Sequence, residues 1–138
     1  MAKAEPFSVR LTAATDKAVE AEARRVKRSK SQLVESLTEE AMRTRRFPGI
    51  AFRGEDAGRR PWLIGTGLDV WEVWQMLDEY GSPGELVEHT QLTERQVMLA
   101  TAYAAEYPDE IREAIAENTR PVEEWRQLYP FVQQQAAG

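Results

Sequence analysis

Phe7-Ser8-Val9-Arg10-Leu11, and the turn Arg28-Ser29-Lys30-Ser31-Gln32-Leu33-Val34 that follows one helix-length later, decide how the front of this chain folds. In the first run Phe7, Val9 and Leu11 alternate with Ser8 and Arg10, the period of a strand with one buried and one exposed face. Neither of the next two segments reads as a strand, and so short a strand is not stable alone. Its ladder partner therefore comes most economically from a second copy of the chain. A homodimer is expected. Two such strands form an antiparallel ribbon of the width a DNA major groove admits, with Ser8 and Arg10 projecting twice by symmetry. An arginine so placed can read the edge of a guanine.

Working outward, Thr12 is a helix cap, and Thr15, Val19, Ala23 and Val26 recur at helical spacing through residues 13–27. Ser29 caps a second helix over 30–44, whose inward stripe is Leu33, Val34, Leu37 and Ala41. In a dimer that stripe would interlock with its symmetry mate. The exposed amides at the start of the second helix favour an anion, so Ser29 has two readings, capping alone and capping together with phosphate contact. The basic run Arg24-Arg25-Val26-Lys27-Arg28 is either a solvated face or part of the same phosphate-facing surface.

Over residues 5–46 this pattern resembles the ribbon-helix-helix regulators of the MetJ/Arc/CopG type. The resemblance rests on the alternating strand, the spacing to the turn, and the turn's order of Ser, basic residue, Ser, polar residue and two aliphatics. It implies base contacts by Ser8 and Arg10, with Pro6 at the outer margin. It also implies phosphate contacts by Arg28, Ser29, Lys30 and Ser31. The sequence departs from the family pattern at two positions: Lys27 stands where a turn glycine is usual, and Asp16 where the first helix commonly carries an aliphatic residue.

Composition excludes several classes of function. The 138 residues, 42% of them hydrophobic, suit one ordinary domain or two very small ones. There is no cysteine, which removes disulfides, thiolate metal sites and thiol nucleophiles, and the single histidine, His89, leaves no metal or triad cluster of the usual type. Adjacent carboxylates such as Glu39-Glu40, Asp109-Glu110 and Glu123-Glu124 point apart on helices and read as solvated charge. No enzyme, cofactor or metal is expected. No apolar stretch is long enough to span a bilayer, and Met1-Ala2-Lys3-Ala4-Glu5-Pro6 lacks the apolar core of a signal peptide, so the expected location is the bacterial cytoplasm, at the nucleoid when DNA is bound.

Charge divides the chain. Residues 1–60 carry 14 Lys+Arg against 9 Asp+Glu, a net of +5, whereas residues 61–138 carry 4 against 14, a net of −10. A basic front suits a polyanion, and an acidic rear argues against that half lying on the same DNA. It suits a basic partner, although solubility alone would also account for such charge.

The periodicity stops from Thr44 to Arg60, where Arg45-Arg46-Phe47-Pro48-Gly49 and Arg53-Gly54-Glu55-Asp56-Ala57-Gly58 read as a linker or lead-in, with the domain boundary segment at 47–60; the arginines of this stretch, Arg45 and Arg46 included, are expected to add nonspecific DNA contacts. Beyond it, short apolar pieces flanking Gly65-Thr66-Gly67 predict a small hairpin with Pro61 at an edge. A helix over 70–80 follows, with Val70, Val73, Trp74 and Leu77 on one face. A short helix then starts at Ser82-Pro83, a third is capped by Thr93, and another carries Ile111 and Ile115. The expected fold is mainly α: a ribbon-helix-helix unit over 1–46, an acidic helix-turn-helix-like unit over 61–118, and a tail over 119–138. In that tail Trp125, Leu128, Tyr129 and Phe131 either anchor a basic partner or pack back on their own domain.

Residues 47–110 resemble the small bacterial domain-of-unknown-function family 433, through Gly58 to Gly67, Val70, Ser82-Pro83-Gly84-Glu85, Leu92-Thr93 and Tyr103-Ala104-Ala105. Gly67 replaces that pattern's arginine, and one residue is added before the proline. Its members look like antitoxins, often paired with a PIN-like ribonuclease toxin. Together the two resemblances imply a type II antitoxin that represses its own operon. The alternatives are a stand-alone transcription or nucleoid-associated regulator whose rear unit assembles higher oligomers on DNA, and an interaction scaffold without DNA binding.

Overall fold

The computed structural model describes residues 4–118. The chain divides into two units, residues 1–46 and residues 47–138. Among the described residues there are six α-helices and one two-stranded antiparallel sheet, so the protein is mainly α.

The first unit holds α1 (Ala13–Val26) and α2 (Lys30–Arg46). Thr12 caps α1 as expected, its hydroxyl accepting from the Thr15 amide at 3.3 Å. The helix ends on Lys27 in the left-handed region (φ 57°, ψ 44°), with the Arg28 amide reaching back to the Ala23 carbonyl at 3.0 Å and the Lys27 amide to Arg24 at 3.3 Å. This is the hydrogen-bond pattern of a glycine-type helix end, here built on a lysine. A side chain in that conformation is disfavoured. Lys27→Gly should therefore raise the stability of this unit by about 0.5–1 kcal/mol, read as a higher thermal midpoint by circular dichroism at fixed protomer concentration.

Among the described residues of this unit only Val19, Ala23 and Leu33 are buried, with Leu11, Val26 and Val34 packed around them. Of the predicted inward stripe on α2, Leu37 and Ala41 are exposed in the single chain, and Thr15 on α1 is exposed as well. Residues 4–10 are exposed on both faces, and 7–11 form no ladder within the chain.

In the second unit, β1 (Ile50–Arg53) pairs with β2 (Arg60–Leu63). The register sets Ile50 opposite Leu63 and Arg53 opposite Arg60. This corrects two expectations. Across Gly65-Thr66-Gly67 the expected hairpin is reduced to a single antiparallel bridge, Trp62 to Asp69; the two-stranded sheet lies before it, and the stretch expected as linker supplies its first strand together with a 3-10 turn over Asp56–Gly58. Gly54 permits the reversal: it sits at φ 109°, where an added Cβ would lie 2.2 Å from the Gly58 carbonyl oxygen. Gly65-Thr66-Gly67 instead makes a tight turn in which the Leu63 amide donates to Leu68 at 2.9 Å, leading the chain from β2 into the next helix.

That helix is α3 (Val70–Tyr80), followed by α4 (Pro83–His89), α5 (Glu94–Glu106) and α6 (Pro108–Asn118). Ser82 and Thr93 cap α4 and α5 through the amides of Glu85 (3.2 Å) and Gln96 (3.1 Å). The four helices and the sheet enclose one core centred on Tyr103, which is fully buried and donates its hydroxyl to Glu110 at 2.7 Å. Phe47 and Tyr107 lie against its ring at centroid distances of 5.2 and 4.8 Å. Trp74, expected on the core face of α3, is exposed; Trp71 packs on the core in its place. The buried arc of α3 is Val70, Val73, Met76 and Leu77 with Trp71 at its margin; it packs mainly against α5, α6 and α4 and leaves position 74 outside.

Candidate nucleic-acid interface

Ser8 and Arg10 are exposed, and so are their apolar neighbours Phe7 and Val9, at 85% and 63%. The segment expected as a strand with one face toward a core forms no ladder in the single chain, and over residues 7–10 both its apolar and its polar side chains lie in solvent. Phe7, Val9 and Leu11 line one open groove with Val34 and Met42 of α2. Leu37 and Met42 of the same helix are also largely exposed.

The turn between the helices is ordered by its own side chains. Ser29 caps α2 by accepting from the Gln32 amide at 3.1 Å, while the Gln32 side chain accepts from the Ser29 amide, also at 3.1 Å. Ser29 is thus a cap, as both of its readings required. Lys30 and Ser31 open the helix and are exposed. The first turn of α2 contains no acidic residue, whereas those of the other five helices each do. The positive end of that dipole carries Lys30. Lys30 is paired with Asp16, and its Nζ lies 3.7 Å from Glu20 on the same face of α1. Its hydrogen bond to Asp16, with the charges of Asp16 and Glu20, raises the pKa of the ammonium above its ordinary value.

The second unit holds a cluster the sequence reading missed. Asp69 is almost fully buried. Its Oδ1 accepts from Arg53 Nε (2.9 Å) and Nη2 (2.6 Å), and its Oδ2 from Arg60 Nε (2.7 Å) and Trp71 Nε1 (3.2 Å). Arg53 also donates to the Gly67 carbonyl at 2.9 Å and lies 4.8 Å over the Trp62 ring. Arg59 donates to the carbonyls of Gly54 and Phe52 at 2.9 and 3.3 Å. The arginines expected to add nonspecific DNA contacts at 53, 59 and 60 are therefore engaged in holding their own domain. One signal was available, an aspartate directly before a helix; the long-range pairing was not.

Glu85, Glu88 and His89 come together on α4 with ligand atoms within 4.8 Å of one another, a grouping that the count of one histidine did not anticipate. All three are exposed, and His89 Nε2 lies 3.2 Å from Glu85. Such spacing follows from one helical face alone. The anchors Trp125, Leu128, Tyr129 and Phe131 lie outside the described residues. Among those described, no helix is long and apolar enough to cross a membrane. No family model, curated protein or solved structure matches this chain.

Proposed function

We propose that the chain is a homodimeric, sequence-specific DNA-binding repressor of ribbon-helix-helix type: a binding protein rather than an enzyme, and the antitoxin of a toxin-antitoxin pair that represses its own operon. The observation that carries the DNA-binding reading is the exposed apolar stretch at Phe7 and Val9. Phe7 and Val9 lie open beside a unit with three buried side chains, too few for a stable core without a partner. A second copy supplies that partner. Pairing the strands turns Phe7, Val9 and Leu11 inward and leaves Ser8 and Arg10 outward, doubled, as base-reading groups. The capped, acid-free start of α2 then meets a backbone phosphate through Arg28, Ser29, Lys30 and Ser31.

The acidic second unit, with net charge −10 over residues 61–138, lies off the DNA and takes a basic partner such as a ribonuclease toxin. One observation favours the stand-alone regulator instead. Ile64, Trp74 and Met98 are exposed apolar side chains on that unit, which would serve assembly of dimers along DNA. Sedimentation of the protein on one and on several operator lengths separates the two, because only the regulator gains subunits in step with DNA length.

The test of the base-reading role is fluorescence anisotropy on the DNA upstream of its own gene and on scrambled DNA, across salt. A bidentate arginine-guanine pair discriminates by about 1–3 kcal/mol, so with two copies per dimer Arg10→Ala should lower the preference for the upstream site by about 100-fold. Salt-sensitive binding to both DNAs should remain. Wild type binding neither DNA at low salt would reject the reading.

A further inference from the structure

We propose that Asp16 is an internal competitor of the DNA phosphate for Lys30, and so sets the affinity for all DNA sequences below what the basic turn alone would give. This rests on the DNA-binding reading above. Asp16 stands in the first turn of α1 and Glu20 one turn later, so both carboxylates lie on one helical face. Lys30, the first residue of α2, extends to that face, pairs with Asp16 and approaches Glu20 to 3.7 Å. The three side chains are 46%, 36% and 48% exposed for Lys30, Asp16 and Glu20, so an anion arriving from solvent can reach the ammonium without any part of the fold opening.

A carboxylate oxygen and a phosphate oxygen are equivalent acceptors for an ammonium group. For Lys30 to neutralise a phosphate it must leave Asp16, or else hold the phosphate beside that carboxylate against like-charge repulsion. Both routes weaken binding. Neither depends on base sequence, since phosphate contacts carry no sequence information. A lysine ammonium is charged throughout the neutral range in any case, and the hydrogen bond to Asp16 with the charges of Asp16 and Glu20 raises its pKa further. Ser29 and Gln32 are occupied with each other in the cap, and Lys30 is the cationic side chain within the first turn of α2 itself.

The test is a double-mutant cycle by fluorescence anisotropy on the upstream and scrambled DNAs, with circular dichroism to establish folding. Asp16→Asn should tighten binding to both DNAs by about three-fold, the scale of an exposed ion pair. It should also steepen the slope of log K against log salt by up to about 0.9 per protomer. In a Lys30→Ala background the same substitution should have little effect, because the remaining long-range term is screened. Glu20→Gln, at the longer distance, should give a smaller gain that also vanishes with Lys30→Ala, and it carries the test if Asp16→Asn disturbs the helix. An unchanged affinity in Asp16→Asn, or an equal gain with and without Lys30, overturns the competition while leaving the DNA-binding reading intact. Absence of wild-type DNA binding removes both.

Discussion

Asp69→Ala should lower the thermal midpoint of the second unit by about 15 °C, followed through tryptophan fluorescence. The first unit contains no tryptophan, so the signal reports on residues 47–138 alone. The size of the effect follows from what the carboxylate holds. Arg53 and Arg60 are directly opposite in the hairpin register, a like-charge pair that is unfavourable by itself. Asp69 accepts from both and from Trp71, tying β1, β2 and the start of α3 to one buried point. Without it, two guanidinium groups face each other with no anion between them. Breaking a fully buried pair costs about 3–5 kcal/mol. Arg53 and Arg60 keep 33% and 49% of their side-chain surface in water, which places the loss at the lower end, about 3 kcal/mol. At about 4–8 °C per kcal/mol for a unit of this size, that is the expected shift. Asp69→Asn, which keeps an acceptor of the same shape, should lose about half as much. A shift below about 2 °C in Asp69→Ala would mean that the cluster contributes nothing net to stability.

Val9→Asp should abolish the dimer. In the proposed ribbon Val9 is the central inward residue of the strand, and the substitution places two carboxylates across the two-fold axis in the shared core. Burial of a valine side chain stabilises by about 1.5 kcal/mol, and two copies are lost together with the desolvation of two charges. The dissociation constant should rise by at least about 1,000-fold, read by sedimentation equilibrium. The helical signal should fall as well, since three buried residues do not hold α1 and α2 together alone. Ser8→Asp, one residue away on the outward face, should leave the dimer intact and weaken DNA binding only. A Val9→Asp protein with unchanged mass would place the dimer interface elsewhere, and a monomeric wild type would remove the ribbon.

Local chemistry was legible in the sequence wherever neighbours along the chain decide the structure. Thr12, Ser29, Ser82 and Thr93 are caps because a hydroxyl or its neighbour reaches an amide three residues on. The helices α3 and α4 begin and end close to where the period over 70–80 and Ser82-Pro83 place them. The buried positions Val19, Ala23, Leu33, Val70 and Val73 follow from helical period. The face of α3 was misjudged at Trp74, because period alone gives an arc and not its direction.

The candidate interface was legible as a strand and a turn, and less so as a set of partners. The alternation at residues 7–11 specifies which side chains share a face, but a ladder needs a second strand. Lys30 reads in sequence as a cation beside a helix start; its pairing with Asp16 and Glu20 depends on two helices packing, which no local pattern encodes.

By itself, then, the sequence determined the helices and their caps and the separation of a basic front from an acidic rear, since both depend on periodicity, capping range or summed charge within short stretches of chain. Only the tertiary structure decided that Ile50–Arg53 is a strand, that three arginines near it serve the fold, and that Asp69 is the anion they share. A four-residue strand has too little period to announce itself, and an ion pair across 9 or 16 residues exists only once the turn between its partners has closed.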